Sequence, residues 1–254
     1  MIIQKGDFML DEHRYTPQQA LFITRAITKQ LNADHFGLHT PGVFRVAGRH
    51  QFVMQIVNSI LNHKKIVNRQ YSVHDYVGAL KFTLMNSELI SIQDPWVHML
   101  RKQVVAEDLS KGIAAINEFI KKLSYSNDRD KYCAAEVIYQ FLHLLTATFR
   151  FQAKNKMTAE HLGIIAGPFF ARMIEQDPID TLFVTLKVNQ LCSIMVANGY
   201  FKATFDNVYN EVVEKWQERD LTELEQEREM LKRLRARYAA RATIFQDEIT
   251  RIHK

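Results

Sequence analysis

Residues 16–31 read Thr16-Pro17-Gln18-Gln19-Ala20-Leu21-Phe22-Ile23-Thr24-Arg25-Ala26-Ile27-Thr28-Lys29-Gln30-Leu31. Thr16 is placed to cap a helix. Pro17 fits the first turn, where no backbone N–H is needed, and Gln19 can reach back as in a capping box. Ala20, Ile23, Ile27 and Leu31 then recur on one helical face. The same periodicity continues down the chain. It marks Val53, Ile56, Val57, Ile60 and Leu61, then Val73, Tyr76, Val77, Leu80 and Leu84. It marks Ile113, Ile116, Phe119 and Ile120, and then Val137, Ile138, Phe141, Leu142, Leu145 and Phe149. A further run, Leu162 to Phe170, contains Gly167-Pro168, a pair expected to kink or end its helix. Leu182 to Met195 reads as the last core helix, closed by Asn198-Gly199. No alternating strand pattern of convincing length is found. The expectation is an all-α helical bundle over residues 10–205, followed by a long C-terminal helical extension.

Composition agrees. The chain has 254 residues, 47% apolar and 24% charged, values of a chain with a full core rather than a disordered one. Its 9 Gly and 5 Pro are few for a turn-rich all-β protein. The net charge of +5 admits an anionic partner without naming one. Cys133 and Cys192 lie too far apart for a zinc finger or a disulfide scaffold. Both fall in apolar helical patterns and read as small buried hydrophobes, which suits a cytoplasmic, reducing setting. No apolar run approaches the ~18 residues of a membrane span. The first residues, MIIQKGDFMLDEHRY, lack the charged-then-apolar order of a secretory signal.

From Asp206 to Lys254 charge becomes dense. Leu224, Leu231, Tyr238, Phe245 and Ile252 recur every seven residues, with Leu221, Arg228, Arg235, Ala242 and Ile249 as the companion line. This 3-4 pattern makes a helix with one apolar stripe. Two arginines in the companion line weaken a simple two-stranded coiled coil. One long helix folded back on the domain or loosely paired is favoured over a dimerising or partner-binding coil. Arg228, Lys232, Arg233, Arg235, Arg237 and Arg241 form a basic stretch without interleaved aromatics, which reads as a solvated face rather than a nucleic-acid contact.

Residues for self-contained chemistry are missing from the pattern. There is no phosphate-cradling G-x-x-x-x-G-K-[ST] loop, no H-E-x-x-H and no G-x-S-x-G elbow. His35 and His39 flank Gly37 and precede Pro41, so they do not make a rigid helical metal pair, and no metal site is expected. The segment Gly42-Val43-Phe44-Arg45-Val46-Ala47-Gly48 stands apart. It places an arginine among apolar residues in a glycine-bounded loop between two helices. Val43 and Phe44 are expected to pin the loop to the core, so that Arg45 projects from a rigid base. On pattern alone a surface salt bridge or a loop cap is the competing explanation.

GVFRVAG resembles the G-[IV]-F-R-x-[SA]-G segment of the Rho GTPase-activating (RhoGAP) domain. Three further blocks fall in that family's order. Val73 to Lys81, VHDYVGALK, resembles its V-H-x-x-A-x-x-L-K. Asn155 to Pro168, NKMTAEHLGIIAGP, is similar to its N-K-M-T-x-x-N-L-A-x-x-F-G-P. Val188 to Phe201, ending N-G-Y-F, resembles its closing helix. The likeness covers about residues 15–205.

The resemblance implies a helical domain that binds the GTP form of a Rho-family small GTPase and stimulates its hydrolysis. The domain would not itself be an enzyme. It implies that Arg45 acts as an arginine finger in trans, and that the domain carries no cofactor of its own. The partner would supply GTP, Mg²⁺ and the water-positioning glutamine. Lys81 matches the family's lysine on the GTPase-facing surface, where it supports the finger loop. His74 lies seven residues before it, on the same face of the helix. The partner-binding residues expected are Lys81, Met85, Phe169, His74 and Phe44. Three departures from the family pattern stand out. Met85 occupies the position of a usual arginine, Asn86-Ser87-Glu88-Leu89-Ile90 replaces a proline-bearing stretch, and Phe169 replaces the asparagine that most often follows Gly-Pro. They keep open an alternative: a catalytically weak or inactive RhoGAP-like module that binds a GTPase or a scaffold partner. The GTPase partner adds an expectation of peripheral contact at the inner face of membranes.

Overall fold

A computed structural model describes residues 14–32, 37–62, 70–106, 108–175 and 177–198. Among these residues every regular element is helical, apart from one isolated bridge between Tyr15 and Ser87. The C-terminal stretch 206–254, with its heptad pattern, and Gly199 lie outside the described residues.

Helix α1, Pro17–Asn32, starts as the sequence requires. Gln19 N–H donates to Thr16 Oγ1 at 3.2 Å, and Thr16 N–H donates to Gln19 Oε1 at 3.1 Å. These two bonds satisfy donors that the first turn would otherwise leave open. Ala20, Ile23, Ile27 and Leu31 are wholly buried against α6, Arg129–Phe149, and α3, Val73–Met85. Helix α2, His50–Leu61, packs on α3. Helix α5, Leu109–Ser124, packs on α6 and is capped by Asp108, which accepts from the N–H groups of Ser110 and Lys111. In each of these helices the apolar stripe found by periodicity is the buried face, with only Leu61 and Phe149 partly exposed.

Sequence patterning misses α4, Pro95–Val105. It is short and buries only Val97, Leu100 and Val104. The signal was nonetheless there: Asp94 accepts from Trp96 N–H at 2.9 Å, with Pro95 at the first helical position. A single turn, α7, Gln152–Asn155, precedes α8, Ala159–Ile174.

Of the two outcomes expected at Gly167-Pro168, a kink or an end, the end is contradicted: helix α8 continues through Pro168 to Ile174. Proline removes one N–H and presses on the carbonyl four residues back. Here that carbonyl belongs to Ile164, and both Ile164 and Pro168 sit on the solvent face. The opposite face is held by α9, Pro178–Asn198. With its amide nitrogen turned toward the two carbonyls, Asn189 donates to Gly163 O at 3.2 Å and Thr185 O at 3.1 Å. A Cβ at Gly167 would lie 1.6 Å from the end of the Asn189 side-chain amide and 3.1 Å from Thr185 O, so glycine suits this crossing.

Helix α9 buries Val184, Val188, Leu191, Cys192, Met195 and Val196, whereas Leu182, expected in the core, is 67% exposed. By length and composition residues Ile179–Asn198 of α9 are apolar enough to cross a membrane, with mean hydropathy 1.3, which corrects the expectation that no apolar run approaches that length; a third of the stretch is buried in the fold.

Burial pushes the Cys133 thiol up to about 11, with Glu136 adding to it, and the Cys192 thiol up to about 12. The thiolate is the reactive form. The folded protein is therefore expected to leave both cysteines unlabelled by Ellman's reagent at mildly alkaline pH, and the unfolded chain to titrate both. Fast labelling of the folded protein would contradict this packing.

Candidate functional site

The loop from Gly37 to Arg49 joins α1 to α2 across the start of α3. Gly42, at φ 71°, and Phe44, at φ 68°, turn the chain twice. A left-handed phenylalanine costs ~1–3 kcal/mol in backbone strain. Complete burial of its ring returns ~1.5–3 kcal/mol, enough to offset that cost. Val43 is equally buried, and Arg45 emerges exposed on the next residue. Its guanidinium lies back over Gly42, and it makes no hydrogen bond or ion pair among the described residues.

Three tethers fix this loop. At its entry, Gly42 N–H donates to Asn155 O at 2.8 Å, and Asn155 Nδ2 donates to Leu38 O at 2.7 Å. The same amide donates to Thr148 O at 2.8 Å, while Asn155 Oδ1 accepts from Met157 N–H at 2.8 Å. Asn155 is wholly buried and joins the loop to the ends of α6, α7 and α8. In the middle, Lys81 Nζ donates to Phe44 O at 3.1 Å. Partial burial lowers the Lys81 pKa. At the exit, Asp75 accepts from the backbone N–H of Arg49 at 2.8 Å and from its Nη2 at 2.6 Å. Burial alone would push the Asp75 carboxyl up, but the hydrogen bonds from Arg49 and Ser72 outweigh it and hold it well below the usual carboxylate range. A depressed carboxyl stabilises the fold at neutral pH, and that stability is lost as pH falls below about 4.

Gly48 seats the loop on α3: a Cβ there would stand 2.5 Å from His74 O and 2.8 Å from Asp75 Cα. Gly48→Val is therefore expected to push the exit of the loop off α3 and lower the melting temperature, since backbone rather than a flexible side chain blocks the added atoms. A melting temperature equal to that of the wild type would contradict the close approach.

The other expected contact residues divide. His74 and Lys81 are half-buried on α3, and His74 Nδ1 is a buried atom without a partner among the described residues. Met85 closes α3, half-exposed, with its carbonyl accepting from Arg172. Phe44 and Phe169, both expected at the partner surface, lie inward in the free domain. Phe44 is a loop anchor. Phe169 is 6% exposed and packs edge-on against Phe141 and Phe170, at 5.6 and 5.2 Å between ring centroids. Met85, Phe169, Leu89, Ile90 and Pro168 line a cleft of about 610 Å³ between the end of α3 and α8, with Arg14, Glu88 and Arg172 at its edge.

Sequence reasoning overlooked Asn155, Arg49 and Asp75 as loop holders. Ser72 followed three residues on by Asp75 is a capping-box signature and was legible; nothing local marks Arg49. Among the described residues no group of three or more His, Cys, Asp or Glu side chains gathers as a metal site.

A family model described as the RhoGAP domain matches residues 22–174, from within α1 to the end of α8. The chain belongs to the RhoGAP domain family. Rho GTPase-activating protein 25 of Mus musculus is 26% identical over 165 residues, 63% of this chain and 24% of that protein. Rho GTPase-activating protein 24 of Rattus norvegicus is 23% identical over 169 residues, 63% of this chain and 21% of that protein. The chain thus spans a quarter or less of these curated relatives. The BH domain from Graf, the GTPase regulator associated with focal adhesion kinase, has a similar fold, with a TM-score of 0.57, 13% identity, and coverage of 76% of this chain and 95% of that one. Human Rho GTPase activating protein 15 follows with a TM-score of 0.53, 19% identity, and coverage of 70% and 81%. The RhoGAP domain here is all-helical, as its sequence periodicity implies.

Proposed function

We propose that this RhoGAP domain stimulates GTP hydrolysis by a Rho-family small GTPase, binding the GTP form and inserting Arg45 in trans. One observation carries the reading: an exposed arginine, without a partner among the described residues, stands on a loop held at entry, middle and exit. In phosphoryl transfer, negative charge spreads over the γ-phosphoryl and bridging oxygens. A guanidinium presents a planar fork of donors and stays protonated. Delivered to that charge by a rigid loop, it stabilises the transition state more than the ground state. The domain supplies the arginine; nucleotide, Mg²⁺ and attacking water belong to the partner.

Binding tests the first half of this reading. The domain is expected to hold GTP-analogue-loaded Rho-family GTPases more tightly than GDP-loaded ones, and equal affinity for both states would contradict it. Exposed charges are screened over ~8–10 Å near physiological ionic strength. Affinity is therefore expected to fall several-fold between about 0.05 and about 0.5 M NaCl, because the chain is net basic. An affinity indifferent to salt would assign the interface to apolar contacts instead.

The cleft lined by Met85 and Phe169, which mixes apolar side chains with Arg14, Glu88, Arg172 and Glu175, favours a second reading: a module that binds a GTPase without accelerating hydrolysis. It retains the same surface and gives no role to Arg45. Hydrolysis measurements separate the two.

A further inference from the structure

Asp75 is bonded beyond what its helix needs. As the third residue of α3 it closes a capping box with Ser72, accepting from Ser72 N–H and Ser72 Oγ, each at 2.8 Å, through Oδ2. Such a box commonly sits in solvent and needs no cation. Here the carboxylate is wholly buried, which costs several kcal/mol unless it is paired and hydrogen-bonded. Its second oxygen, Oδ1, turns away from the cap and accepts from Arg49 N–H at 2.8 Å and Arg49 Nε at 3.3 Å.

Arg49 shows the same diversion from the other side. It is the N-cap residue of α2, yet its side chain makes no cap bond to that helix. The guanidinium instead reaches sideways to Asp75, to Gln70 O at 3.3 Å, and over the Phe52 ring at 3.9 Å from the centroid. Arg49 lies four residues after Arg45, immediately past Gly48, where the loop touches α3. Two helix starts thus spend their polar groups on each other, and what they hold between them is the exit of the loop.

We propose that Asp75 and Arg49 are positioning residues for Arg45, locking the loop exit so that the arginine is presented in one orientation. The proposal rests on the finger reading above for its catalytic consequence, and on loop order alone for its structural one. A misplacement of about 1 Å costs ~10²-fold in a catalytic step. A loop whose exit keeps only the Arg49 N–H bond to Asp75 is expected to lose part of that.

Arg49→Ala is the informative variant, because the Arg49 side chain is 58% exposed and its removal leaves no core cavity. Three measurements go together: the saturating stimulated hydrolysis rate, the half-saturating domain concentration, and amide hydrogen exchange over residues 45–49 in the free protein. Arg49→Ala is expected to lower the saturating rate by ~10-fold, within the range that misplacement costs. The half-saturating concentration stays nearly constant, exchange at residues 45–49 accelerates, and exchange in α6 does not. Arg49→Lys restores part of the rate, since an ammonium still reaches the carboxylate. Asp75→Asn reproduces the Arg49→Ala pattern. Unchanged exchange at residues 45–49 in Arg49→Ala overturns the clamp, whatever the hydrolysis assay gives. A faster exchange in a domain whose wild type stimulates no GTPase supports the clamp and overturns the finger reading alone.

Discussion

Arg45→Ala is expected to reduce GTPase stimulation by ~10³–10⁵-fold while leaving affinity for the GTP form within a few-fold of wild type. The split follows from where the arginine acts. Arg45 has no side-chain partner among the described residues, so its loss breaks no hydrogen bond or ion pair there. Its neighbours Val43 and Phe44 keep the loop anchored. The lost interaction is made only when charge develops on the transferring phosphoryl group. Arg45→Lys is expected to fail nearly as badly, because a lysine keeps the charge and loses the planar fork. An arginine serving stability behaves in the opposite way: its removal lowers the melting temperature, and lysine rescues part of the loss. Hydrolysis and thermal stability measured on wild type, Arg45→Ala and Arg45→Lys separate the two outcomes.

Asn155→Ala is expected to be the most destabilising single polar substitution around the loop. The side chain satisfies three buried backbone groups, the carbonyls of Leu38 and Thr148 and the N–H of Met157. Each buried group left unpaired costs ~1–3 kcal/mol. A total of about 4 kcal/mol corresponds to a fall in melting temperature of roughly 8–16 °C for a domain of this size. Asn155→Asp does no better, since a carboxylate cannot donate and would face two carbonyl oxygens. Thermal unfolding of both variants checks this. A drop under about 3 °C for Asn155→Ala would show that the loop entry does not depend on these bonds.

Local pattern carried most of the bundle. α1, α2, α3, α5 and α6 were legible because each buries a continuous stripe at helical spacing, and burial of that stripe is what stabilises the helix. α4 buries only three residues, too few to announce a period, and was marked by its cap alone. The passage of α8 through Pro168 was not legible, because its support comes from Asn189 on another helix. The exposure of Leu182 belongs to the same class: which side of α9 faces inward is set by α8. In the site, GVFRVAG announced a pinned loop with an outward arginine. The inward Phe44 was legible as the pin, but its left-handed backbone was hidden, because it is locally unfavourable and is tolerated only through burial and the Lys81 bond. Asn155, Lys81 and Asp75 reach the loop from 26 to 117 residues away along the chain, a distance no local rule spans.

Single-turnover hydrolysis of GTP by a panel of purified Rho-family GTPases, with and without the domain, bears on the finger most directly. At least one GTPase is expected to hydrolyse GTP orders of magnitude faster with the wild-type domain, and to return to its intrinsic rate with Arg45→Ala at the same saturation. Full acceleration by Arg45→Ala, or none by the wild type on any member that it binds, would contradict the account.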